Sequence, residues 1–370
     1  MLIVHTHGSP YDRGRQYGRQ LGPHVRRRAP AQPLQPLAPA GEADRIAANM
    51  LRNLDTHEPA LLDEMRGLAA GAELPFEAVF HLNVASFVRY ILDFSTADRE
   101  VLREGEDGVF AEPRAAEAGC TNVAFAQTDV GPLLGKTNDG GAPVPPEAQA
   151  ATWVLQRAEP SAGPPFFIFA PVGALSGVAG MNADGFAIGQ SAAQVAPDQE
   201  GYGVPSNLML RPLLERCATV TQALDVLDRR VMAGKGLNLM LLDAAGDVRA
   251  AEQSGWRLGV RAPDKSGALY FSNHCHTPEL RDLPPRRDRD NSRRRWSNLR
   301  RRLSGAAPAE PVERTRAGVQ ALISSHGAGA ICQHGPQMFT SLGLLIAPRE
   351  RTLWAADGPP CATPFVEHRL

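Results

Sequence analysis

The sequence predicts an α+β protein in which helices precede and separate antiparallel β-hairpins. Apolar residues recur at helical spacing through most of residues 43–92. From residue 119 onward, short apolar segments alternate with polar turns, which is typical of hairpins. No internal repeat and no break in composition divides the 370 residues. We therefore predict one domain, residues 1–370, built around one large core.

A first helix is predicted over residues 9–22. Ser9 can cap its first turn, and Pro10 suits the first helical position. Gly14 and Gly18 stand four residues apart and so lie on one side of the helix. A neighbouring element could approach that side closely.

Two more helical regions are predicted before residue 119. The apolar spacing of residues 43–74 is interrupted at Pro59, which ends or kinks a helix. Another helix is predicted over residues 76–92. The Pro- and Ala-rich residues 29–40 are interpreted as an extended connector, and the charged residues 95–118 as an exposed loop.

Strands dominate the rest of the sequence, and Asp, Gly or Pro marks most of the turns between them. The predicted hairpins pair residues 119–126 with 133–139, 177–181 with 186–189, 238–243 with 248–252, and 339–346 with 352–356. Single strands are predicted at 153–155 and 166–170, and helices at 206–217 and 221–229.

The composition is that of an ordinary globular protein, with 43% hydrophobic and 21% charged residues. A formal net charge of −1 supplies no overall attraction to nucleic acid or to a membrane surface. The first residues lack a basic flank followed by a long apolar run, so no signal peptide is expected. The most apolar stretch, residues 78–92, contains His81, Asn83 and Arg89 and is too short to span a bilayer. We expect no membrane partner.

The cysteines are odd in number and scattered: Cys120, Cys217, Cys275, Cys332 and Cys361. This pattern argues against a disulfide framework and favours a reducing compartment. We therefore expect a cytoplasmic protein. All but Cys120 are interpreted as small buried apolar residues.

The hairpin that begins Gly119-Cys120 brings polar groups back toward a sulfur. Residues paired across a hairpin lie about 5 Å apart, and Asn138 and Asp139 end its second strand. A thiol attacks only as thiolate, so it needs a base or a positive neighbour. No His stands close by in sequence, although a Cys/His pair assembled in space stays open.

The nucleophile can also supply its own base. Gly119 has no side chain to shield its carbonyl carbon, so the Cys120 thiol can attack it and form a thioester that water resolves. Cys120 then carries a free α-amine, whose pKa of about 7.7–8.0 in model compounds suits proton transfer at neutral pH. The sulfur could next take an acyl group from an amide or thioester. The oxyanion formed needs hydrogen-bond donors, for which Asn238, at the start of a predicted strand, is a candidate.

Several segments resemble one known family in their order along the chain. They are residues 8–14, 119–121 with 135–139, 203–205 to 213–215, 237–243 with Glu252, 272–274 and 354–359. On these segments the chain resembles the acyl-coenzyme A:6-aminopenicillanic acid acyltransferase family, peptidase family C45, of the N-terminal-nucleophile (Ntn) hydrolases.

This resemblance implies a four-layer αββα sandwich, with two antiparallel sheets between helix layers. It also implies autocatalytic cleavage between Gly119 and Cys120, which would leave residues 1–119 as one chain and residues 120–370 as the other. The implied activity is acyl transfer or amide hydrolysis.

The resemblance also implies roles for single residues. Cys120 matches the nucleophile, Asp139 the active-site acid and Asn238 the oxyanion-hole amide. An Asp at this position can also simply stabilise a turn. Further candidate site residues, matched less closely, are Asn138, Glu252, Ser292 and Arg295.

Two groups of residues could suggest other chemistry. His274, Cys275 and His276, with His326, Cys332 and His334 further on, match no usual zinc spacing, and strand alternation would place His274 and Cys275 on opposite faces. We predict no metal site. The basic run at residues 286–302 could contact phosphate or nucleic acid, but a solvated helix face explains it as well, so we expect no nucleic-acid partner.

The expected function is therefore cleavage or transfer of an acyl group from a small-molecule acyl amide or acyl thioester. Hydrolysis of an N-acyl amide is preferred, because water is always present whereas transfer needs a second shaped site. No cofactor is expected, although an acyl-CoA is possible as substrate, and the cleaved N-terminal chain is an expected partner. A non-catalytic binding protein on the same fold, or an acyl-CoA-dependent N-acyltransferase, stays open.

Overall fold

The structure is a computed structural model of the 370-residue chain. It describes residues 1–29, 41–100, 119–140, 153–193, 195–196, 202–283, 290–304, 312–336 and 338–370, with the backbone alone for residues 93–100. Most of the predicted connector at 29–40, and residues 101–118 of the predicted loop, lie outside these ranges.

Helices occupy most of the first hundred residues and recur between and after strands. They are α1 (Pro10–Arg28), α2 (Glu42–His57), α3 (Pro59–Ala72), α4 (Phe76–Glu100), α5 (Leu210–Arg216), α6 (Val220–Asp228), α7 (Asp290–Leu303) and α8 (Arg316–Ile323). Ser9 caps α1 and Pro10 opens it, and Pro59 opens α3, as predicted. The predicted loop at 95–118 is wrong for its first residues, because α4 continues to Glu100.

The strands are β1 (Leu2–Gly8), β2 (Gly119–Thr128), β3 (Gly131–Asp139), β4 (Trp153–Pro160), β5 (Phe166–Pro171), β6 (Ala179–Asn182), β7 (Phe186–Ala192), β8 (Val204–Pro205), β9 (Met232–Asp243), β10 (Val248–Gly255), β11 (Arg257–Arg261), β12 (Ala268–Phe271), β13 (Thr340–Ala347), β14 (Thr352–Ala356) and β15 (Val366–Arg369). All four predicted hairpins or strand pairs form. Sequence reasoning missed β1, β8, β11, β12 and β15.

The described strands form two sheets. A nine-stranded sheet has the order β1-β4-β5-β6-β7-β9-β10-β11, with β8 beside β9, and a six-stranded sheet has the order β12-β2-β3-β13-β14-β15. Neighbouring strands run antiparallel, except that β1 is parallel to β4 and β8 is parallel to β9. The N-terminal strand β1 is thus an edge strand of the larger sheet.

Three apolar layers alternate with the two sheets. One packs the helices of the first hundred residues, with α5 and α6, against the nine-stranded sheet. The second lies between the sheets, and the third packs α7 and α8 against the six-stranded sheet. This order of layers is the αββα sandwich, so the predicted fold class is confirmed. No helix within the described ranges is both long enough and apolar enough to cross a bilayer.

Glycines allow α1 and α3 to pack backbone against backbone. An added Cβ at Gly14 would lie 2.0 Å from the Glu64 carbonyl oxygen, and one at Gly67 would lie 2.0 Å from the Tyr11 carbonyl oxygen. The predicted close approach at Gly14 is therefore confirmed.

A buried ionic network joins this helix pair to later parts of the chain. Arg13 contacts Glu64 at 3.1 Å and Glu215 at 2.5 Å, and Arg211 contacts Glu64 at 3.0 Å. Arg211 also donates to Gln156 Oε1 at 2.6 Å. Removing one member would leave a buried charge without its partner, which is costly.

The α1–α3 contact generates a prediction for stability. Gly67→Ala should lower the free energy of unfolding by about 1–3 kcal/mol, because the new methyl group meets backbone that cannot yield. Gly22→Ala is the matched control, since its Cβ would meet the flexible Arg26 side chain at 3.2 Å and a helical Ala is favoured over Gly by about 1 kcal/mol. Urea denaturation of both variants in a Cys120→Ala background measures the difference, and equal midpoints would contradict the packing argument.

Candidate active site

The β2–β3 register places Cys120 beside the residues that end the hairpin. Cys120 pairs with Asn138 and Gly119 pairs with Asp139. The Cys120 sulfur donates to Asn138 Oδ1 at 3.4 Å, and Cys120 as a whole is 7% exposed. The predicted return of the second strand toward the sulfur is confirmed for Asn138.

The two faces of this hairpin separate the sulfur from the carboxylate. Ala124 and Leu134 face the apolar layer between the sheets, and strand alternation puts Cys120 and Asn138 on that same face. Asp139 is odd-numbered and lies on the face that meets α7 and α8. We expected the carboxylate to return toward the sulfur; in the structure it lies instead beside Gly119.

The surroundings of Gly119 exclude a side chain. An added Cβ would lie 2.7 Å from Met338 Sδ and 3.2 Å from Asp139 Oδ2. Asp139 Oδ1 accepts a hydrogen bond of 2.7 Å from the Thr340 hydroxyl. Burial raises the pKa of Asp139 above its ordinary value, whereas the Arg295 charge and the Thr340 hydrogen bond act against that rise. A buried carboxyl group therefore lies beside Gly119, the residue before Cys120.

Side chains replace a strand beside Cys120. The neighbouring strand β12 pairs with β2 only as far as Phe271 and Asn122. Beyond that point, the Cys120 backbone N–H donates to Asn273 Oδ1 at 2.9 Å, and the Cys120 carbonyl accepts from Arg295 Nη1 at 2.6 Å. Both backbone bonds of the cysteine on this side are thus made by side chains.

Arg295 connects helix α7 to this strand end. Its guanidinium is buried and also donates to Thr121 Oγ1 at 2.9 Å, to Asn273 Oδ1 at 2.9 Å and to Asn291 Oδ1 at 2.7 Å. The Asn273 oxygen therefore accepts from both Cys120 and Arg295. The sequence-based assignment of Arg295 to the site agrees with this position.

Ser292 lies one helical turn before Arg295 and fixes the segment that carries Asn273. Its Oγ lies 2.8 Å from the Asn273 N–H nitrogen, from Ser272 Oγ and from His274 Nδ1. Ser292 therefore positions Asn273 and makes no described contact with Cys120.

Asn238 holds the same segment from the other side. It lies in the middle of β9, not at its start as predicted. Its Nδ2 donates to the carbonyls of His274 at 3.0 Å and Ser272 at 3.4 Å, which uses both amide hydrogens. In this arrangement both amide hydrogens of Asn238 are used by the 272–274 segment, and the oxyanion role stays a prediction.

Glu252 pairs with Asn238 across β9 and β10 and is also a positioning residue. Its carboxylate accepts from the backbone N–H groups of His276 at 2.7 Å and Thr277 at 2.8 Å, and from Arg261 Nε at 3.1 Å. These bonds fix the continuation of the Asn273 segment.

Sequence reasoning missed two lysines, the fully buried Lys136 and the partly buried Lys235, whose charges interact with that of Cys120. Lys136, on the same face as Cys120, donates to the Gln190 carbonyl at 2.6 Å. Burial lowers the pKa of Lys136, while the charge of Cys120 and a hydrogen bond to it act in the opposite direction. Burial also lowers the pKa of Lys235, in β9, and the charge of Cys120 acts in the opposite direction.

The lysine in strand β3 could have been used to predict a buried residue of the site. Lys136 follows Leu133, Leu134 and Gly135 in a strand that has no exposed face, so its ammonium group had to be buried with a partner. Asn273 gave no comparable signal, because the strand that positions it was not predicted.

The His and Cys residues separate into two groups. His274 and His276 pack near Trp296, with their own ring centroids 4.3 Å apart. In the described part of the chain, His326, Cys332, His334 and Cys361 form the one group of side chains that could hold a metal ion.

The outer face of α7 is basic, whereas its inner face carries Arg295. Arg293, Arg294 and Arg301 are exposed and line a cleft of about 770 Å³ together with residues 327–329. The helix predicted for the basic run is therefore confirmed, and a phosphate group would find three guanidinium groups there.

The arrangement brings a thiol, an amide and an ammonium group together on one face of a hairpin. A buried carboxyl group lies on the other face beside the preceding glycine. The thiol, the amide and the ammonium group could serve nucleophilic attack. The carboxyl group could serve proton transfer at the Gly119–Cys120 bond.

Solved structures of three hydrolases are similar to this one. An N-acylethanolamine-hydrolyzing acid amidase ortholog of Caenorhabditis elegans has a TM-score of 0.42 and 11% identity, over 62% of this chain and 93% of that chain. Penicillin V acylase from Agrobacterium tumefaciens has a TM-score of 0.43 and 17% identity, over 68% of this chain and 86% of that chain. A mutant of the conjugated bile acid hydrolase from Clostridium perfringens has a TM-score of 0.39 and 11% identity, over 68% and 97%. Similarities this weak carry no argument about function.

A family match is more informative. The model of the acyl-coenzyme A:6-aminopenicillanic acid acyl-transferase family matches residues 126–324, which is more than half of the chain. The matched part begins shortly after Cys120 and includes Lys136, Asp139, Asn273 and Arg295. The chain therefore belongs to the acyl-coenzyme A:6-aminopenicillanic acid acyl-transferase family.

Proposed function

We propose that this protein is a self-processing enzyme whose Cys120 becomes an N-terminal nucleophile and cleaves the acyl group from a small-molecule amide. One observation carries the proposal: the Cys120 backbone nitrogen is bonded to Asn273 Oδ1 at 2.9 Å, and that oxygen is anchored by Arg295. The nitrogen that cleavage would turn into an α-amine thus already has an oriented acceptor.

Processing would need no second protein. The Cys120 sulfur attacks the Gly119 carbonyl carbon, the C–N bond breaks, and the nitrogen takes up a proton as the α-amine. Water then hydrolyses the Gly119 thioester, which releases a carboxylate and restores the thiol. Residues 1–119 and 120–370 would be the two chains, still packed as one domain. Asp139 supports this step, because its carboxyl group contacts the Gly119 side of the bond.

Turnover would follow the same steps on an outside substrate. The α-amine takes the proton of the thiol, the sulfur attacks the acyl carbon, and the protonated amine passes its proton to the leaving amine. Water then releases the acid from the acyl-enzyme. Lys136 lies on the same strand face as Cys120, its ammonium group bonded to the Gln190 carbonyl at 2.6 Å, and supplies a buried positive charge on that face.

Asn138 is the better candidate for the oxyanion donor. The oxyanion forms on the carbon bonded to the sulfur, so its donors must lie within a few ångströms of that sulfur. The Asn138 side chain meets this condition: its Oδ1 accepts from the sulfur at 3.4 Å, and the Nδ2 of the same amide would be the donor to the oxyanion. The Asn238 amide is committed to two carbonyl groups of the 272–274 segment.

Amide hydrolysis is preferred, and transfer from an acyl-CoA is the second candidate. The observation that favours transfer is the arginine-lined cleft on α7, which suits the phosphates of a coenzyme. One acyl thioester, supplied with and without an amine acceptor, separates the two. A hydrolase should release free acid, whereas a transferase should form a new amide. The proposed location is the cytoplasm, because none of the five cysteines forms a disulfide, which is typical of a reducing compartment.

A non-catalytic binding protein is the main rival. In that case Asn273 and Arg295 only provide hydrogen-bond partners for the backbone N–H and C=O groups at the end of strand β2. Buried backbone groups in any protein need such partners. The rival predicts an uncut chain and a Cys120 that forms no acyl adduct.

The first prediction concerns self-cleavage. Intact mass measurement under denaturing conditions should give two chains that meet between Gly119 and Cys120. Cys120→Ala should give one uncut chain, because no sulfur attacks the Gly119 carbonyl. Cys275→Ala is the control and should be cut as the parent is. A full-length mass in the parent would remove the α-amine from the mechanism.

A second prediction separates Asn138 from Asn238. Asn138→Ala should lower the turnover rate constant by about 10²–10³-fold, the usual cost of one oxyanion donor, with alkylation of Cys120 by iodoacetamide little changed. Asn238→Ala should instead lower the melting temperature, because the 272–274 carbonyls lose their donor. Rates are expressed per cleaved chain, measured by mass. Equal losses of turnover at equal stability would contradict the assignment.

A third prediction concerns pH. The Thr340 hydroxyl stabilises the charged form of Asp139, so Thr340→Val should raise the pKa of Asp139 further. If the carboxylate assists processing, cleavage should then stop at a higher pH on the acid side than in the parent. Thr352→Val, which also removes a buried strand hydroxyl but one bonded to Glu350, is the control. An acid limb that does not move would exclude Asp139 from this step.

A further inference from the structure

Four side chains from separate segments converge beside the six-stranded sheet. His326 follows α8, Cys332 and His334 lie in the next turn, and Cys361 comes from the C-terminal segment after β14. One ligand atom from each, a ring nitrogen or a sulfur, lies within 4.8 Å of all the others. The fold thus gathers two thiols and two imidazoles at one point.

The distances among these atoms match a tetrahedral metal site. Cys332 Sγ lies 3.6 Å from Cys361 Sγ and 3.4 Å from His334 Nε2, and Cys361 Sγ lies 3.2 Å from His334 Nε2. Zinc bonds of about 2.3 Å to sulfur and 2.0–2.1 Å to nitrogen place two tetrahedral sulfurs about 3.8 Å apart, and sulfur and nitrogen about 3.6 Å apart. A central ion would require only small adjustments of these three ligands, and the His326 ring nitrogen lies within 4.8 Å of each of them.

A disulfide explains less of this arrangement. The two sulfurs stand 3.6 Å apart, well beyond a bond of about 2.05 Å. A disulfide would also give no reason for His326 and His334 to face the same point, with ring centroids 5.1 Å apart. Two thiolates and two neutral imidazoles are instead a common ligand set for structural zinc. The two negative charges of the thiolates cancel the two positive charges of Zn²⁺.

We infer that His326, Cys332, His334 and Cys361 bind one Zn²⁺ ion in a closed tetrahedral site. The ion displaces the proton of each thiol, so binding releases two protons to the solvent. Because all but Cys332 are exposed, the ion can enter from the surface. From the sequence we predicted no metal site and did not consider Cys361 as a ligand.

The zinc site stands next to the groups that surround Gly119. Gln333 lies between two ligands, and its backbone N–H donates to Thr340 Oγ1 at 2.8 Å. Thr340 in turn donates to Asp139 at 2.7 Å, and Met338 covers Gly119. The ion therefore crosslinks the turn that carries these residues to the C-terminal segment, and its role is structural.

Metal content tests the inference directly. Protein purified with a non-thiol reductant, incubated with ZnCl₂ and then dialysed, should contain about one zinc per chain by mass spectrometry. Cys361→Ala should lose nearly all of it, and so should His334→Ala. Cys361 is exposed, so its truncation leaves no core cavity. Cys217→Ala, a cysteine buried in another layer, should keep the parent level.

Two further readouts keep the outcome decisive. Co²⁺ in place of zinc should give the visible absorption of tetrahedral thiolate coordination in the parent, and lose it in Cys361→Ala. Cys120→Ala should bind zinc as the parent does, which separates this inference from the proposed function. Zinc in the parent no higher than in Cys361→Ala would overturn the inference. So would a Cys332–Cys361 disulfide found by peptide mapping of protein kept under reductant.

Discussion

The buried guanidinium of Arg295 is the constraint on which the site depends. A charged group withdrawn from water is tolerated only when its N–H groups all find acceptors. The acceptors here come from three places: strand β2, through the Cys120 carbonyl and Thr121; the segment after β12, through Asn273; and α7 itself, through Asn291. One cation therefore fixes the relative positions of a strand, a turn and a helix.

This arrangement explains why most residues predicted for the site do not touch the sulfur. Ser292, Asn238 and Glu252 each bond to the segment that contains Asn273. Their combined effect is to hold one amide oxygen at the point where it accepts from both Cys120 and Arg295. The sulfur itself bonds to the Asn138 side chain, and Lys136 lies on the same face of the hairpin with its ammonium group bonded to the Gln190 carbonyl.

Sequence reasoning succeeded where local chemistry decides the structure. Turn residues set the β2–β3 register, and that register put Asn138 opposite Cys120. The same register implies that Asp139 faces away from the sulfur, because residues 138 and 139 of one strand must face opposite sides. The layer order came from the family resemblance, not from the spacing of apolar residues.

The rest depended on contacts between distant parts of the chain. The run of arginines on α7 does not itself show which one turns inward, and Arg295 is distinguished only by the acceptors it meets. Asn238 was predicted to begin a strand, whereas pairing with β8 and β10 extends β9 back to Met232. Cys361 lies 27 residues beyond His334, so no local spacing could have indicated that they meet.

The position of strand β1 gives the proposed cut an effect on assembly. β1 and the helices up to α4 precede residue 119, yet β1 pairs with β4, and Arg13 and Glu64 bond to residues beyond 200. While the chain is continuous, its two parts meet at the high effective concentration of a tethered pair. Once divided, they would keep the same contacts but could find each other again only by diffusion. Maturation would then make folding a one-time event, in which a dilute protein that loses its structure has no direct route back.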